Sequence, residues 1–324
     1  MVKVIRVHKP GGPEAMVLEE VEVGEPGPGE ARIRHTVIGL NYIDVYHRSG
    51  LYPLPAPYGV GMEGAAIVEA VGDGVTNVAV GDRVAYADPP PGAYCEARLF
   101  KASRLVKVPD SVDDESAAAM MLKGMTVEYL VHRTFEVQAG MTVLFHAAAG
   151  GVGLIAGQWL KALGVRAIGT AGGPEKCALA KAHGFAEVID YDNEDFEARL
   201  KEMTDGKGVP VVYDSVGAAT WEKSLNCLQP RGMYVNFGNA SGPVPAFDPG
   251  KLAAGGSLYM TRPSLMAYNA SDDELALSAG RLMDMVGSGK VKIEVNQRYA
   301  LADAVQAHTD LEARKTTGST VLLP

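Results

Sequence analysis

The residues whose types and spacing could do chemistry are densest between positions 142 and 164, which read T-V-L-F-H-A-A-A-G-G-V-G-L-I-A-G-Q-W-L-K-A-L-G. An apolar run at 143–145 leads into Ala148, Ala149, Gly150, Gly151, Val152 and Gly153. Leu154, Ile155, Trp159, Leu160 and Leu163 then recur at helical spacing, so the segment reads as strand, tight turn and helix. Backbone N–H groups at the start of such a helix lack intrahelical partners and, with the helix dipole, favour an anion. Side chains must stay clear of it: Gly150 lets the backbone approach a pyrophosphate, and Gly153 lets the helix pack against the strand. The first glycine of G-x-G-x-x-G is here Ala148, so the turn is a variant, A-x-G-x-x-G.

Which dinucleotide such a turn takes is set at the end of the next strand, about 20 residues on, where an Asp or Glu receives the adenosine ribose hydroxyls of NAD. Here the stretch is Gly169-Thr-Ala-Gly-Gly-Pro-Glu-Lys176, with no carboxylate at the strand end. Gly172 and Gly173 leave room for a 2′-phosphate, Lys176 supplies a counter-charge, and Tyr191 lies after the third strand. The cofactor expected is NADPH, the competing view of Lys176 being a solvated helix lysine.

These residues need a scaffold of alternating elements, and the chain supplies one. Strands are expected at 166–170, 187–190, 209–217 (ending in polar residues) and 233–238, with helices at 175–183 and 194–203 between them. Parallel strands joined by helical crossovers predict a doubly wound sheet with its ligand at the strand carboxyl ends. Before about residue 110 the chain instead alternates in short strands such as 31–37, 65–71 and 83–85, a β-rich domain of another kind, and a long helix is expected over 115–135. With 324 residues there is chain enough for two domains, and a net charge of −9 without basic runs advertises no nucleic-acid surface. No apolar stretch reaches membrane-spanning length, and the opening Met1-Val-Lys-Val reads as a strand rather than a signal peptide. Three scattered cysteines, Cys95, Cys177 and Cys227, fit a reduced cytoplasmic setting.

Several motifs together resemble one family. Gly39-Leu-Asn-Tyr-Ile-Asp-Val-Tyr-His-Arg-Ser-Gly-Leu-Tyr-Pro53, Gly61-Met-Glu-Gly64, Gly81-Asp-Arg-Val84, the 145–153 turn, Tyr213-Asp-Ser-Val-Gly217, Phe237-Gly-Asn239, Thr261-Arg-Pro-Ser264 and the ending 317–324 are similar to the quinone oxidoreductase (zeta-crystallin-like), zinc-free branch of the medium-chain dehydrogenases/reductases. The likeness runs from end to end. It implies an α/β chain with a GroES-like β-rich catalytic domain at 1–125 and 263–324, a Rossmann NADPH-binding domain at 126–262, an active-site cleft between them, and a homodimer. Zinc-dependent members carry a Cys in the segment matching 39–44 and a His after the glycine matching Gly61; this chain has Asn41 and Met62 there. Amide and thioether are poor zinc ligands, so no metal is expected.

The resemblance also implies residue roles. Asn41, Tyr46 and Tyr52 are the candidate catalytic residues, Asn41 touching the cofactor and the tyrosines bonding an acceptor oxygen or relaying a proton. The plainer alternatives are that Asn41 caps a helix over 42–48 and that the tyrosines only pack; Asp44 at the third helical position completes a capping box loosely, since Glu or Gln is preferred. Lys123, Thr126, Ser215, Phe237, Gly238, Asn239, Arg262, Ser264 and Arg314 are further implied cofactor contacts, with a surface ion pair the alternative for Arg314. His146 reads as structural, Met120 and Met121 as core, and Cys95 as an inert thiol with no base beside it. Without zinc to acidify an alcohol, the expected substrates are quinones, then enones or alkenals, reduced by NADPH. A non-catalytic NADPH-binding protein, structural or RNA-associated, is the reading from another class.

Overall fold

The alternating stretches of the front half become long antiparallel strands, Glu30–Leu40 and Glu63–Val71, paired from Ala31–Val71 to Gly39–Glu63 with two register shifts. The computed structural model describes all residues, Met1–Pro324, in two units: Met1–Met125 with Asn269–Gly287 and Ile293–Pro324, and Thr126–Tyr268 with Ser288–Lys292.

In the first unit a seven-stranded sheet runs in the order Val295–Ala300, Ser319–Leu323, Glu30–Leu40, Glu63–Val71, Arg83–Ala87 and Val106–Lys107, with Ala97–Lys101 also on Glu30–Leu40. A smaller sheet orders Met16–Val21, Val2–Val7 and Tyr58–Gly59. Ile5, Val7, Ile33, Ile38, Val68, Val84, Tyr86, Phe100 and Leu322 fill the core between them. Each aliphatic side chain so buried contributes about 1.5–3 kcal/mol. Leu322 ties the end of the chain into the same core as its beginning.

The second unit is built on six parallel strands in the order Glu187–Asp190, Arg166–Ala171, Thr142–Phe145, Val209–Asp214, Leu228–Asn236 and Tyr259–Thr261. Chain order reverses at Thr142–Phe145, the switch point where a doubly wound sheet opens its ligand crevice. The predicted alternation is therefore the observed one.

Among the element limits that differ from expectation, two have a visible cause. The helix foreseen over 115–135 is α-helical only over Asp114–Tyr129 and continues as a π-helical turn, Leu130–Thr134. The widened turn leaves room for a second donor: the Tyr213 hydroxyl reaches the Leu130 carbonyl at 3.2 Å and the Phe135 carbonyl at 3.4 Å. The helix expected from 194 starts at Phe196, because the Asp195 carboxylate caps it, accepting from the N–H groups of Glu197 and Ala198.

Candidate functional site

The nucleotide turn is built by close contact of backbone on backbone. Ala147 takes a left-handed φ of 55°, the Ala148 N–H bonds the Thr170 carbonyl at 2.9 Å, and the Gly150 N–H bonds Ala147 at 3.0 Å. Gly150 stands at the N-cap of the helix Gly151–Ala162. A Cβ on Gly153 would lie 2.4 Å from the Ala147 carbonyl oxygen and 2.5 Å from that of Ala148, so only glycine fits. A Cβ on Gly150 would meet only Ala147, at 3.3 Å, leaving that face open to a ligand. The missing first glycine is compensated on the next strand: a Cβ on Gly169 would come within 2.6 Å of the Ala148 methyl. Ala149, Gly151 and Val152 complete this helix entry.

Behind the turn is a buried polar network. His146 bridges Thr170 Oγ1 and Ser224 Oγ, both at 2.9 Å. Asp214, fully buried, accepts from the N–H groups of Val216 and Gly217 and from Thr220, Ser224 and Tyr234. Burial lowers the His146 pKa below its ordinary value, and with both ring nitrogens engaged it is the structural histidine expected. The network joins the carboxyl ends of four neighbouring strands, and Asp214 was a residue that the motif alone did not single out.

Most of the other expected cofactor residues of this unit lie at or just after strand carboxyl ends. The Ala240 N–H bonds the Ser215 carbonyl at 3.1 Å, a Cβ on Gly238 would strike Ser215, and the Arg262 guanidinium donates to the Asn236 carbonyl at 3.1 Å. Phe237 packs on Phe145 with ring centroids 5.6 Å apart, and Asn239 follows it. Gly172 faces the Tyr191 hydroxyl, 2.8 Å from where its Cβ would be. The Asp190 carboxylate holds the Gly173 N–H at 2.8 Å, and Lys176 follows in the first turn of the helix Pro174–Ala182. Thr126 is buried near the end of the helix Asp114–Tyr129. Ser264 is exposed, its carbonyl accepting from Ala267 and Tyr268.

In the first unit a second cluster forms where the strand Glu30–Leu40 turns into the helix Tyr42–Ser49. Asn41 is the N-cap residue, and the Asp44 carboxylate accepts its backbone N–H at 2.9 Å, so Asp serves where Glu or Gln is commoner. The Asn41 side-chain amide donates instead to Glu63, at 2.7 Å. Glu63 is fully buried and also accepts from the Leu122 N–H (2.8 Å) and the Lys123 ammonium (3.4 Å). Lys123 additionally donates to the Leu40 carbonyl at 3.2 Å. A Cβ on Gly39 would lie 2.2 Å from the Ala118 carbonyl oxygen, which is how a helix and a strand come close enough for this cluster.

The tyrosines follow on the same helix and the loop after it. Tyr46 is buried, with the Tyr42 ring 5.5 Å and the Tyr52 ring 5.2 Å from its own. Tyr52 is half-buried and edge-on to both Tyr46 and His47. Arg314 is exposed, in a left-handed conformation (φ 59°) just past the helix Ala304–Glu312. One expectation needs correction: Cys95 does have a base beside it, His35 Nδ1 at 3.7 Å. The thiol is inert all the same, because burial holds His35 down to about 3, neutral, and pushes Cys95 up to about 12. Glu63 was not foreseen as the centre of this cluster. A glutamate inside a strand of small residues was the available signal.

Comparison with known proteins agrees with this architecture. Residues 27–138 match the alcohol dehydrogenase GroES-like domain and residues 151–273 the zinc-binding dehydrogenase family. A quinone oxidoreductase from Pseudomonas aeruginosa is 55% identical over 325 residues, covering all of both chains. A 2-haloacrylate reductase from Burkholderia sp is 46% identical, covering 100% of this chain and 99% of its own. The crystal structure of the Escherichia coli quinone oxidoreductase complexed with NADPH matches with a TM-score of 0.98 at 48% identity, covering 99% of this chain and 100% of that one. The chain belongs to the quinone oxidoreductase family of the medium-chain dehydrogenases/reductases. It is therefore an oxidoreductase, with a GroES-like domain and a Rossmann domain.

The name of one matching family raises zinc, and the residues do not fit it. Nowhere do three or more His, Cys, Asp or Glu side chains converge as a metal would need. Met62 is a buried thioether, the Asn41 amide is turned to Glu63, and Glu63 is already occupied by three donors. NADPH does fit the other unit: an open glycine face at a helix N-terminus, Gly172 beside the Tyr191 hydroxyl, and Lys176 in the first turn of the helix that follows.

Proposed function

We propose that the protein is an NADPH-dependent quinone reductase that works without zinc. The observation that carries this reading is the cluster at Asn41: its buried Glu63 is balanced by an amide and an ammonium, in a donor set that does not suit a metal. Alcohol oxidation needs a strong Lewis acid to acidify the hydroxyl before hydride leaves. Acceptors that are already electrophilic do not, and hydrogen-bond donors suffice to stabilise the anion formed from them. Bound NADPH supplies the hydride. Ala149, Gly150, Gly151, Val152 and Gly153 hold its pyrophosphate, Gly172, Gly173, Lys176 and Tyr191 its 2′-phosphate, and Thr126, Ser215, Phe237, Gly238, Asn239, Arg262 and Ser264 its nicotinamide half. Asn41 and Lys123 position the nicotinamide side, Arg314 approaches the phosphates, and Tyr46 and Tyr52 hydrogen-bond the acceptor. A cytoplasmic homodimer goes with this reading, and no helix is long and apolar enough to cross a membrane.

Purified enzyme with NADPH is expected to turn over 1,4-benzoquinone or 1,2-naphthoquinone with a higher kcat/KM than an alkenal. The 46%-identical 2-haloacrylate reductase supports the second reading, reduction of a conjugated C=C bond, and faster alkenal turnover would establish it instead. Cofactor that binds but is consumed with neither acceptor would point to a non-catalytic protein.

Cofactor choice has its own test. Lys176→Ala should weaken NADPH about tenfold or more while leaving NADH nearly unchanged, as loss of one charge-assisted phosphate contact implies. Equal losses in a fluorescence titration of the two cofactors would remove Lys176 from the 2′-phosphate.

A further inference from the structure

Two fully buried carboxylates, Asp44 and Glu63, meet at Asn41, and they are not equally satisfied. Glu63 has donors on both oxygens. Asp44 Oδ2 accepts from the Asn41 N–H at 2.9 Å and from the Tyr94 hydroxyl at 3.0 Å, while Oδ1 is buried with no partner.

The surrounding charges do not balance a second anion. Lys123 is the ammonium of the cluster and is bonded to Glu63. Arg48, on the same helix as Asp44 and almost fully buried, is held by Glu312 through two bonds of 2.8 and 3.0 Å. With both carboxyls ionised, Asp44, Glu63 and Lys123 would leave one unpaired negative charge in the interior, an arrangement that proteins avoid by neutralising a group.

The hydrogen-bond directions say where the proton sits. A guanidinium only donates, so His308 Nδ1, 3.2 Å from Arg48, accepts and Nε2 carries the hydrogen. Burial and Arg48 hold this imidazole down to about 3, so it stays neutral. Nε2–H then donates to the Tyr94 oxygen at 3.0 Å, and the Tyr94 O–H is left to donate to Asp44. Oδ2 thus receives two donors, and the unpartnered Oδ1 is the oxygen free to bear a hydrogen.

We propose that Asp44 is kept as a carboxylic acid with its proton on Oδ1, and that losing this proton displaces Asn41 and lowers the activity of the enzyme. Asn41 is tied to both carboxyls, to Asp44 by its backbone and to Glu63 by its side chain, so their mutual repulsion falls on that residue. Asp44 is then a positioning residue acting through Asn41. Burial raises its carboxyl to about 7, with the Asn41 N–H, Tyr94 and Lys123 pulling the other way and Glu63 adding to the rise. The switch therefore falls in the neutral range.

The test is a carbon-13 side-chain and nitrogen-15 amide titration of the full-length protein without cofactor. The Asp44 carboxyl is expected to titrate near neutrality, the Asn41 amide shift to follow with the same midpoint, and Tyr94→Phe to move that midpoint upward by removing a donor that favours the ionised form. In turnover, kcat/KM for a quinone should fall on the alkaline side with this midpoint in the unaltered enzyme and stay level in Asp44→Asn. An Asp44 midpoint in the ordinary range near 4, an Asn41 amide that ignores it, or an alkaline fall that persists in Asp44→Asn overturns the proposal. Only the turnover arm rests on the reductase reading; if no acceptor is reduced, that reading fails while the titration still decides the state of Asp44.

Discussion

Glu63→Ala is expected to cost the protein about 3–5 kcal/mol of folding free energy, the loss typical when one partner of a buried ion pair is removed. The substitution leaves the Lys123 ammonium, 6% exposed, with only the Leu40 carbonyl. It also strips the Asn41 amide and the Leu122 N–H of their acceptor. Glu63→Gln, which keeps an oxygen acceptor but no charge, should cost less. Urea unfolding of the two variants beside the unaltered protein measures both losses. A loss below about 1 kcal/mol, the scale of an exposed pair, would mean that the cluster is far better solvated than its burial indicates.

The second large effect is expected at Gly153. A valine there would push its Cβ to within 2.4–2.5 Å of two backbone carbonyl oxygens, neither of which can swing aside as a side-chain end could. The turn must open, and overpacking of this kind costs about 1–3 kcal/mol. Because the same backbone would hold the pyrophosphate, cofactor affinity should fall about tenfold to a hundredfold or more. Gly150→Ala makes the contrast. Its Cβ meets the Ala147 oxygen at 3.3 Å, so the chain should fold with little loss of stability while the added methyl stands on the face open to the cofactor. Thermal denaturation and NADPH titration of both variants separate the two roles. If Gly153→Val bound NADPH normally, the pyrophosphate would have to lie elsewhere.

Much of this architecture is legible in the amino-acid order. The strand-turn-helix over 142–164, the parallel alternation behind it and the antiparallel front half all appear in the expected places. They do so because apolar periodicity and turn glycines act over a few residues. The helix 115–135 marks the limit of that reasoning. Its residues favour helix throughout, yet the widened turn at Leu130–Thr134 goes with the hydroxyl of Tyr213, 83 residues away, donating to Leu130. Cys95 teaches the same lesson: His35 lies beside it through strand pairing, at a separation of 60 residues.

By itself the sequence determined the cofactor corner, because most of the groups that shape it lie within a few positions of Ala148, Gly150 and Gly153, with Gly169 and Thr170 on the very next strand, and a backbone-made site needs only the right small residues in order. Tertiary structure alone decided the character of the cluster at Asn41. The residues that balance Asp44 and Glu63 come from loops and three helices, with Arg48 and His308 260 residues apart. Burial and charge balance are sums over everything that packs around a group, and no local pattern records that sum.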